Sequence, residues 1–518
     1  MLNIAHLLHT STMRYPDKVA VRFGEQKYTY KYLSELSGKV AFFLEKHGIK
    51  KGDKVALSCP NVPYFPIVYY GILQAGAVVV PHNVLLKAPE IEYLLNDSEA
   101  KAYFAFEGTA ELPMGKMAWE GAQNTLCRTF VLMTADPTAS SPIEGATTIG
   151  EVFATSESKK EIICTETSDT AVILYTSGTT GQPKGAELTH FNIFMNTQIS
   201  RDLVANATAH EDVFMMVLPL FHSFGQVVGM NATIYRGAEL VMLPRFDPQI
   251  SLDLMYKHKV NIFAGVPTMY WALLNTAGKI PAEQLQEIKS NMKICASGGA
   301  ALPVEIHQKF KEVFDVDILE GYGLSETSPV ASFHHQNRPL KVGSIGEPVW
   351  GVEMKIFNED DEEVPVNEVG EIVIRGHNIM KGYYRRDHET EKAMRGGWFH
   401  SGDMGKVDED GYFYVVDRLK DMIVRGGFNV YPREIEEVLL QHPAVSLVAV
   451  IGVPHEQHGE EVKAFTVLHE GANVTNDELV LWCKEKMAAY KYPRIIETCS
   501  DLPMNATGKV LKRELRDK

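Results

Sequence analysis

The sequence predicts an α/β protein with a large N-terminal domain of layered α/β subdomains, a β-rich subdomain at its end, and a small α+β C-terminal domain. Three observations predict it. Apolar runs of strand length alternate with helical segments from Tyr28 to about Asp417, which is the order of layered folds with buried, mostly parallel strands. Between about Val342 and Val416 the runs become short, alternating and rich in turns. A charged break at Asp417-Arg418-Leu419-Lys420-Asp421 then precedes a unit of roughly a hundred residues with its own helices and strands.

Val55-Ala-Leu-Ser, Ala77-Val-Val-Val and Ala171-Val-Ile-Leu-Tyr are continuous apolar runs suited to strands covered on both faces. Glu371-Ile-Val-Ile-Arg and Gly411-Tyr-Phe-Tyr-Val-Val are the strands of the β-rich subdomain, the second following the turn Asp408-Glu-Asp-Gly. Beyond the break, Pro432 opens a helix, strands follow at Leu447 to Val453 and Val462 to Leu468, a helix spans about Asn476 to Tyr490, and a last strand covers Arg494 to Thr498. These boundaries give residues 1–417 as the N-terminal domain, about 342–417 of it β-rich, 418–421 as a joint and 422–518 as a lid. The acidic run Glu359 to Glu363 reads as a solvated turn.

The chain has 518 residues, enough for two to four domains and a large core around an enclosed site. Lys plus Arg total 51 against 66 Asp plus Glu, a net charge of -15, so the average surface repels phosphate backbones and anionic lipid. Nucleic acid is not expected as a partner, and membrane contact is expected to be peripheral at most. Six scattered cysteines include no CxxC pair, which argues against a zinc site or a disulfide framework and for a cytoplasmic protein. Phe214 to Met230 is apolar, but Pro219, His222 and Gly225 interrupt it, and buried core is the expectation.

Chemistry concentrates first in Tyr175-Thr-Ser-Gly-Thr-Thr-Gly-Gln-Pro-Lys-Gly185, directly after an apolar strand. Gly178 and Gly181 let main-chain N–H groups curve around oxyanions, Thr176, Ser177, Thr179 and Thr180 add donors, and Lys184 adds a point charge. The expected guest is a polyphosphate. It is not a Walker A loop, because Pro183 precedes the lysine and Gly185 follows it.

With this loop, the ordered set Tyr28-Thr-Tyr, Leu73 to Pro81, Pro219-Leu-Phe-His222, Ser297-Gly-Gly-Ala300, Gly321-Tyr-Gly-Leu-Ser-Glu-Thr327, Ser401-Gly-Asp403, Asp417-Arg-Leu-Lys420 and Asn505-Ala-Thr-Gly-Lys509 resembles the acyl-adenylating superfamily over nearly the whole chain. That superfamily holds acyl-CoA synthetases, peptide-synthetase adenylation domains and firefly luciferase. The resemblance implies two half-reactions: a carboxylate attacks the α-phosphorus of ATP to give acyl-adenylate and pyrophosphate, and a thiol then displaces AMP. It implies that Glu326 holds Mg²⁺, that Ser325 touches the α-phosphate, and that Lys509 bridges that phosphate and the attacking carboxylate. Ser325 stands where the family usually has Thr. It further implies that Gly298, Gly299 and Ala300 form a flat floor for adenine, that Tyr322 stacks on the other face, and that Asp403 and Arg418 hold the ribose hydroxyls. The small domain is expected to be mobile and to pivot near Lys420. That rotation would withdraw Lys509 and present Gly426, Gly427 and Phe428 to coenzyme A. As a bare sequence, Gly426-Gly427 is equally a hairpin turn, and Lys509 a solvated lysine.

His222 by itself is a buried structural residue or a substrate-side group, and the resemblance places it against the acyl pocket beside the carboxylate. Phe224, Val227, Val228 and Met230, with Val266, Met269 and Tyr270, supply apolar lining for an alkyl or aryl tail, or ordinary core. Ser223 occupies the position where amino-acid-activating members carry an acid, which argues against amino acids. Some long-chain synthetases have a gating Trp where this chain has Gln226. The local runs Gly265 to Tyr270, Glu320 to Glu326 and Asp421-Met-Ile-Val are similar to bacterial medium- and long-chain fatty acyl-CoA synthetases. The expected activity is therefore a fatty acid–CoA ligase forming AMP. The alternatives are an aryl- or dicarboxylate–CoA ligase and a fatty acyl-AMP ligase loading a carrier protein. A nucleotide sensor with a decayed site is disfavoured, since Lys184, Glu326, Asp403, Arg418 and Lys509 are all present. Homodimerisation is left open.

Overall fold

The computed structural model describes residues 2–176, 182–202, 209–335, 338–419, 421–426, 428–455, 458–505 and 509–516. Among them, strands form four sheets. The first large sheet runs in the order Glu347–Pro348, Val330–Phe333, Ile318–Gly323, Ile294–Ser297, Ile262–Gly265, Val213–Met216, Glu239–Met242, Val19–Phe23, Gln26–Thr29. The second is built on Lys54–Ser58, Val78–Pro81 and Ala102–Phe106, with Thr170–Thr176, Lys184–Thr189 and Gly382–Tyr383 at one edge.

The predicted runs are strands: Val55, Val79 and Val172 are fully buried, as parallel strands covered on both faces must be. The centres of both sheets are parallel, whereas both edges of the first and one edge of the second are antiparallel. Thr170–Thr176 and Lys184–Thr189 pair antiparallel because the connection between them is too short for a parallel crossover, which takes about a dozen residues or more. The Ile318–Gly323, Val330–Phe333 and Glu347–Pro348 strands are likewise antiparallel to one another. One continuous apolar core runs through both large sheets and into the β-rich region, from Ile4 to Phe413.

The β-rich region is a four-stranded antiparallel sheet of Val352–Phe357, Gly370–Gly376, Phe399–Val407 and Phe413–Arg418. Its last turn forms as the sequence suggests, with the Asp408 carboxylate accepting from Asp410 N at 3.0 Å and Tyr412 N at 2.9 Å. Glu359 to Glu363 are exposed.

From Ile423 onward a separate core forms around Ile435, Leu439, Val450, Val462, Leu479 and Ile496. The helix Pro432–Leu440 has Pro at its first turn, and Thr475 with Glu478 makes a reciprocal cap on Asn476–Lys486. That helix stops before the expected Tyr490. Tertiary contacts take the chain elsewhere: Tyr490 stacks on Phe428 with centroids 4.8 Å apart, and its carbonyl accepts from Arg425 at 3.3 Å. No helix among the described residues is long and apolar enough to cross a membrane.

Candidate active site

The site grows from strand ends. Thr176 closes one strand and Lys184 opens the next, and the two are in register across the antiparallel pair. Ser177, Gly178, Thr179, Thr180 and Gly181 lie outside the described residues. The Lys184 ammonium sits 5.4 Å from the centre of the Tyr383 ring, and the Tyr383 hydroxyl donates to Glu326 Oε1 at 2.9 Å. Tyr383 comes from Gly382–Tyr383, which pairs with the strand that Lys184 opens. Glu326 occupies the short turn Ser325–Thr327, and its main-chain carbonyl accepts from Met380 N at 2.8 Å. Burial raises the Glu326 carboxyl above its ordinary range, opposed by the Tyr383 hydrogen bond and the Arg418 cation. Ser325 is partly exposed beside it.

Gly298, Gly299 and Ala300 follow the strand Ile294–Ser297. A side chain at Gly298 would meet the Phe224 ring at 3.3 Å, and Gly299 has φ of 79°, a conformation that glycine adopts without strain. Gly299 and Ala300 are exposed. On the neighbouring strand, Tyr322 donates its hydroxyl to Asp403 Oδ2 at 2.7 Å. Asp403 is in register with Arg418, whose Nε lies 3.2 Å from Asp403 Oδ1. The Ser401 hydroxyl supports the turn, accepting from Asp403 N at 3.1 Å and donating to Ile372 O at 2.6 Å. Glu326 feels the charges of both Arg418 and Asp403, so these groups form one cluster.

His222 is half-buried, and its Nδ1 accepts from Phe224 N at 3.3 Å. Burial, reinforced by the positive charge of Lys509, lowers its pKa to about 4, so the imidazole is neutral near pH 7. Phe224 begins a π-helix, Phe224–Asn231, whose far end is fixed by Tyr70 donating to Asn231 Oδ1 at 2.8 Å and Asn231 Nδ2 donating to the Tyr69 hydroxyl at 3.2 Å. π-Helical turns are rare and frequent at functional sites. Val227 and Met230 on this helix are fully buried in the large core, as are Tyr270 and, nearly so, Val266 and Met269. Gln226 donates to Leu220 O at 3.2 Å, while its Oε1 and the buried Ser223 hydroxyl have no hydrogen-bond partner.

Lys509 belongs to the C-terminal unit, yet its charge reaches His222 of the large one. Its main chain closes a tight loop: Asn505 N donates to Lys509 O and Lys509 N to Asn505 Oδ1, each at 2.9 Å. The small unit is seated on the large one by Arg433, whose main-chain N donates to Asp417 Oδ2 at 3.0 Å and whose guanidinium donates to Val415 O. Lys420 lies outside the described residues; on either side of it, Leu419 N donates to Gly402 O at 3.0 Å and Asp421 N to Arg418 O at 2.9 Å. The Gly426 region is a hairpin, since Arg425 pairs with Phe428 across the adjoining strands. Gly427 lies outside the described residues, and Phe428 is 56% exposed.

Among the described sequence-derived residues, Lys184 and Glu326 are linked through Tyr383, Tyr322 and Arg418 through Asp403, Phe224 lies against Gly298, and the charge of Lys509 is felt at His222, whereas Val227 and Met230 lie deep in the large core and Gly426 and Phe428 on the small unit's own hairpin. Tyr383 and Arg433 were not anticipated. Tyr383 sits in the run Lys381-Gly-Tyr-Tyr-Arg, where only its long-range pairing with the Lys184 strand ties it to Glu326. A neutral imidazole within the field of an ammonium, together with a buried carboxyl group and a carboxylate–guanidinium pair, is suited to holding an anionic, hydroxyl-bearing molecule.

The sequence profile of the AMP-binding enzyme family matches residues 8–384, and that of the AMP-binding enzyme C-terminal domain matches residues 434–509. A long-chain-fatty-acid–CoA ligase of Bacillus subtilis (strain 168) is 38% identical over 98% of this chain and 93% of its own length. A feruloyl-CoA synthase of an Amycolatopsis species is 35% identical over 97% of this chain and 96% of its own. The crystal structure of ATP-bound MatB from Rhodopseudomonas palustris superposes with a TM-score of 0.88 at 31% identity, covering 100% of this chain and 99% of that one. The apo form of the same protein, at the same identity and coverage, scores 0.77. The chain belongs to the AMP-binding enzyme family and is an adenylate-forming acid–thiol ligase.

Proposed function

We propose that the protein activates a fatty acid with ATP and transfers it to coenzyme A, with the seam between the two units as the catalytic centre. The observation that carries this reading is the linked cluster of Tyr322, Asp403, Arg418, Tyr383 and Glu326 in the large unit, while the positive charge of Lys509, from a separately cored unit, is felt at His222. The closer likeness to ATP-bound than to apo MatB supports reading the present arrangement as the adenylate-forming one.

In that arrangement the fatty carboxylate lies between His222 and Lys509. One of its oxygens attacks the α-phosphorus while the bond to the bridging oxygen breaks and pyrophosphate leaves. Lys509, Ser325 and the donors of the 176–184 loop hold the charge that builds on the phosphoryl oxygens. Neutral His222 orients the carboxylate without competing for it as a cation. Asp403 and Arg418 take the ribose hydroxyls, and Tyr322 and the Gly298 to Ala300 floor enclose adenine. Glu326 is a hard, buried oxygen donor of the kind Mg²⁺ uses, which takes one or two carboxylates together with substrate phosphates. Bound there, Mg²⁺ would neutralise phosphate charge, and Tyr383 would keep Glu326 aimed. Rotation of residues 422–518 about Lys420 then brings Gly426, Gly427 and Phe428 to the coenzyme A arm. The thiol sulfur bonds to the acyl carbon, AMP leaves with the oxygen it shared with that carbon, and the thiol proton passes to solvent. A cytoplasmic setting suits the water-soluble ATP and coenzyme A that this reaction draws on.

Phe224, Val227 and Met230 form the wall of the acyl pocket on this reading. One observation favours a second substrate class. The partnerless polar atoms of Ser223 and Gln226 sit on the same wall, where an aryl acid bearing a polar substituent would satisfy them, and a feruloyl-CoA synthase is among the similar proteins. Pyrophosphate release measured over C2 to C18 acids and over benzoates and cinnamates, with and without coenzyme A, decides between them. A maximum on alkyl acids with coenzyme A-dependent AMP release is expected. A maximum on aryl acids supports the second reading, and release independent of any acid defeats both.

A further inference from the structure

We propose that Tyr93 and Asp97, on the helix Ala88–Ser98, are positioning residues that hold Tyr175 and Pro183, and through them the adjoining Thr176 and Lys184, so that their loss weakens the ATP half-reaction and spares the thioester step. The inference rests on the reading of residues 175–185 as the ATP phosphate segment. Tyr93 and Asp97 are four residues apart, so they lie on one helical face. That face meets the segment at both of its ends. On the entering side, the Tyr175 hydroxyl donates to Asp97 Oδ2 at 2.8 Å. On the leaving side, the Tyr93 hydroxyl donates to the Pro183 carbonyl at 3.0 Å.

Pro183 has no amide hydrogen, so it cannot be held from its own nitrogen by the neighbouring strand, and its carbonyl is the available handle. Lys184 follows it directly. A shift of the Pro183 carbonyl therefore moves the lysine that begins the next strand. At the other end Tyr175 precedes Thr176, and residues 175 and 185 are paired across the sheet, so the Asp97 bond fixes both strands together.

Asp97 places a negative charge near a segment read as a phosphate cradle, which would be counterproductive if it were bare. It is not: Arg386 Nη2 lies 2.6 Å from Asp97 Oδ1, and only 10% of the Asp97 side chain is exposed. The same helix end reaches the outer edge of the sheet again, where Tyr384 donates to Glu99 Oε2 at 2.9 Å while its main-chain N donates to Gly185 O at 2.7 Å. The edge strand that carries Tyr383, the partner of Glu326, is thus tied to the same helix.

The test uses the full-length protein and the variants Tyr93→Phe, Asp97→Ala and Asp97→Asn. ATP affinity is measured by titration, KM for ATP by pyrophosphate release, and the second half-reaction by thioester formation from supplied octanoyl- and benzoyl-adenylate. Tyr93→Phe should weaken ATP by about fivefold, the equivalent of one net hydrogen bond, and Asp97→Ala by more, with thioester formation unchanged. Asp97→Asn should recover most of the loss, since its amide oxygen still accepts from Tyr175. Should Asp97→Ala fail to fold, Tyr93→Phe decides alone, because it removes a single oxygen. Unchanged ATP affinity and KM in Tyr93→Phe and Asp97→Ala, or equal loss in both half-reactions, overturns the proposal. Wild-type protein that binds no ATP defeats the reading of the segment and this inference together; wild-type binding with indifferent variants defeats this inference alone.

Discussion

The two units hold their share of the site by different means. In the large unit each group is braced by another element: Tyr322 by Asp403, Glu326 by Tyr383, and the π-helix beyond His222 by Tyr69 and Tyr70, all within one continuous core. In the small unit the main chain of Lys509 is held by Asn505, and the unit's core shares no residue with the large one. Side chains embedded in a close-packed interior cannot leave it without unfolding their surroundings, whereas a unit with a private core moves as a body. On the proposed function, the contrast separates the groups that would stay with the nucleotide from the group that would come and go.

Lys509→Ala tests the contrast most severely. It should lower adenylate formation by about a hundred- to a thousandfold, the usual loss for one transition-state donor, and leave thioester formation from supplied octanoyl-adenylate intact. Equal loss in both halves would mean that Lys509 stays put. Asp403→Ala, on the fixed side, should raise KM for ATP by about ten- to a hundredfold, as expected for hydrogen bonds to a charged group, and the same penalty should appear when AMP competes. Tyr383→Phe removes the hydroxyl that donates to Glu326 and should cost about tenfold in the first half-reaction; if Glu326 holds Mg²⁺ as proposed, raising Mg²⁺ should recover most of it.

The smallest effect concerns the docking itself. Glu320, with Leu302 N donating to it at 3.3 Å, is raised by burial from 4.5 to about 7, against the pull of the Arg433 cation from the small unit and with a small push from Glu437. The folded protein therefore binds a proton there that the unfolded chain has lost, and stability falls as pH rises between about 4.5 and 7. Glu320→Gln should flatten that part of a urea-midpoint-versus-pH curve. Arg433→Met should extend the upper end of the falling limb to higher pH, since it removes the cation that lowers the folded-state pKa of Glu320. An unaltered curve in both would uncouple Glu320 from the small unit.

Much of this was legible in the sequence, for reasons that differ by element. Continuous apolar runs such as Ala171 to Tyr175 have few alternatives to a buried strand, and Pro432 can hardly do other than open a helix. The antiparallel edges were missed because apolar pattern reports burial, not direction; the brevity of the connection after Thr176 was the available clue. The end of the helix at Lys486 was missed because nothing local halts it. The backbone turns extended at Met487, and the chain beyond it packs Tyr490 against Phe428, a tertiary contact. The site residues named from motifs were legible as chemistry, but their bracing by Tyr383, Tyr93 and Asp97 joins positions far apart in the chain, which no local spacing encodes.

The hydrogen bond from Tyr322 to Asp403 makes one mechanical part of a ring and a carboxylate that come from different sheets. If the ring meets the base and the carboxylate the sugar, the enzyme's choice of base and its choice of sugar are not separate dials. The double substitution Tyr322→Phe with Asp403→Asn should then cost less than the two single losses together, and an engineer seeking a different nucleotide would have to redesign the pair as a unit.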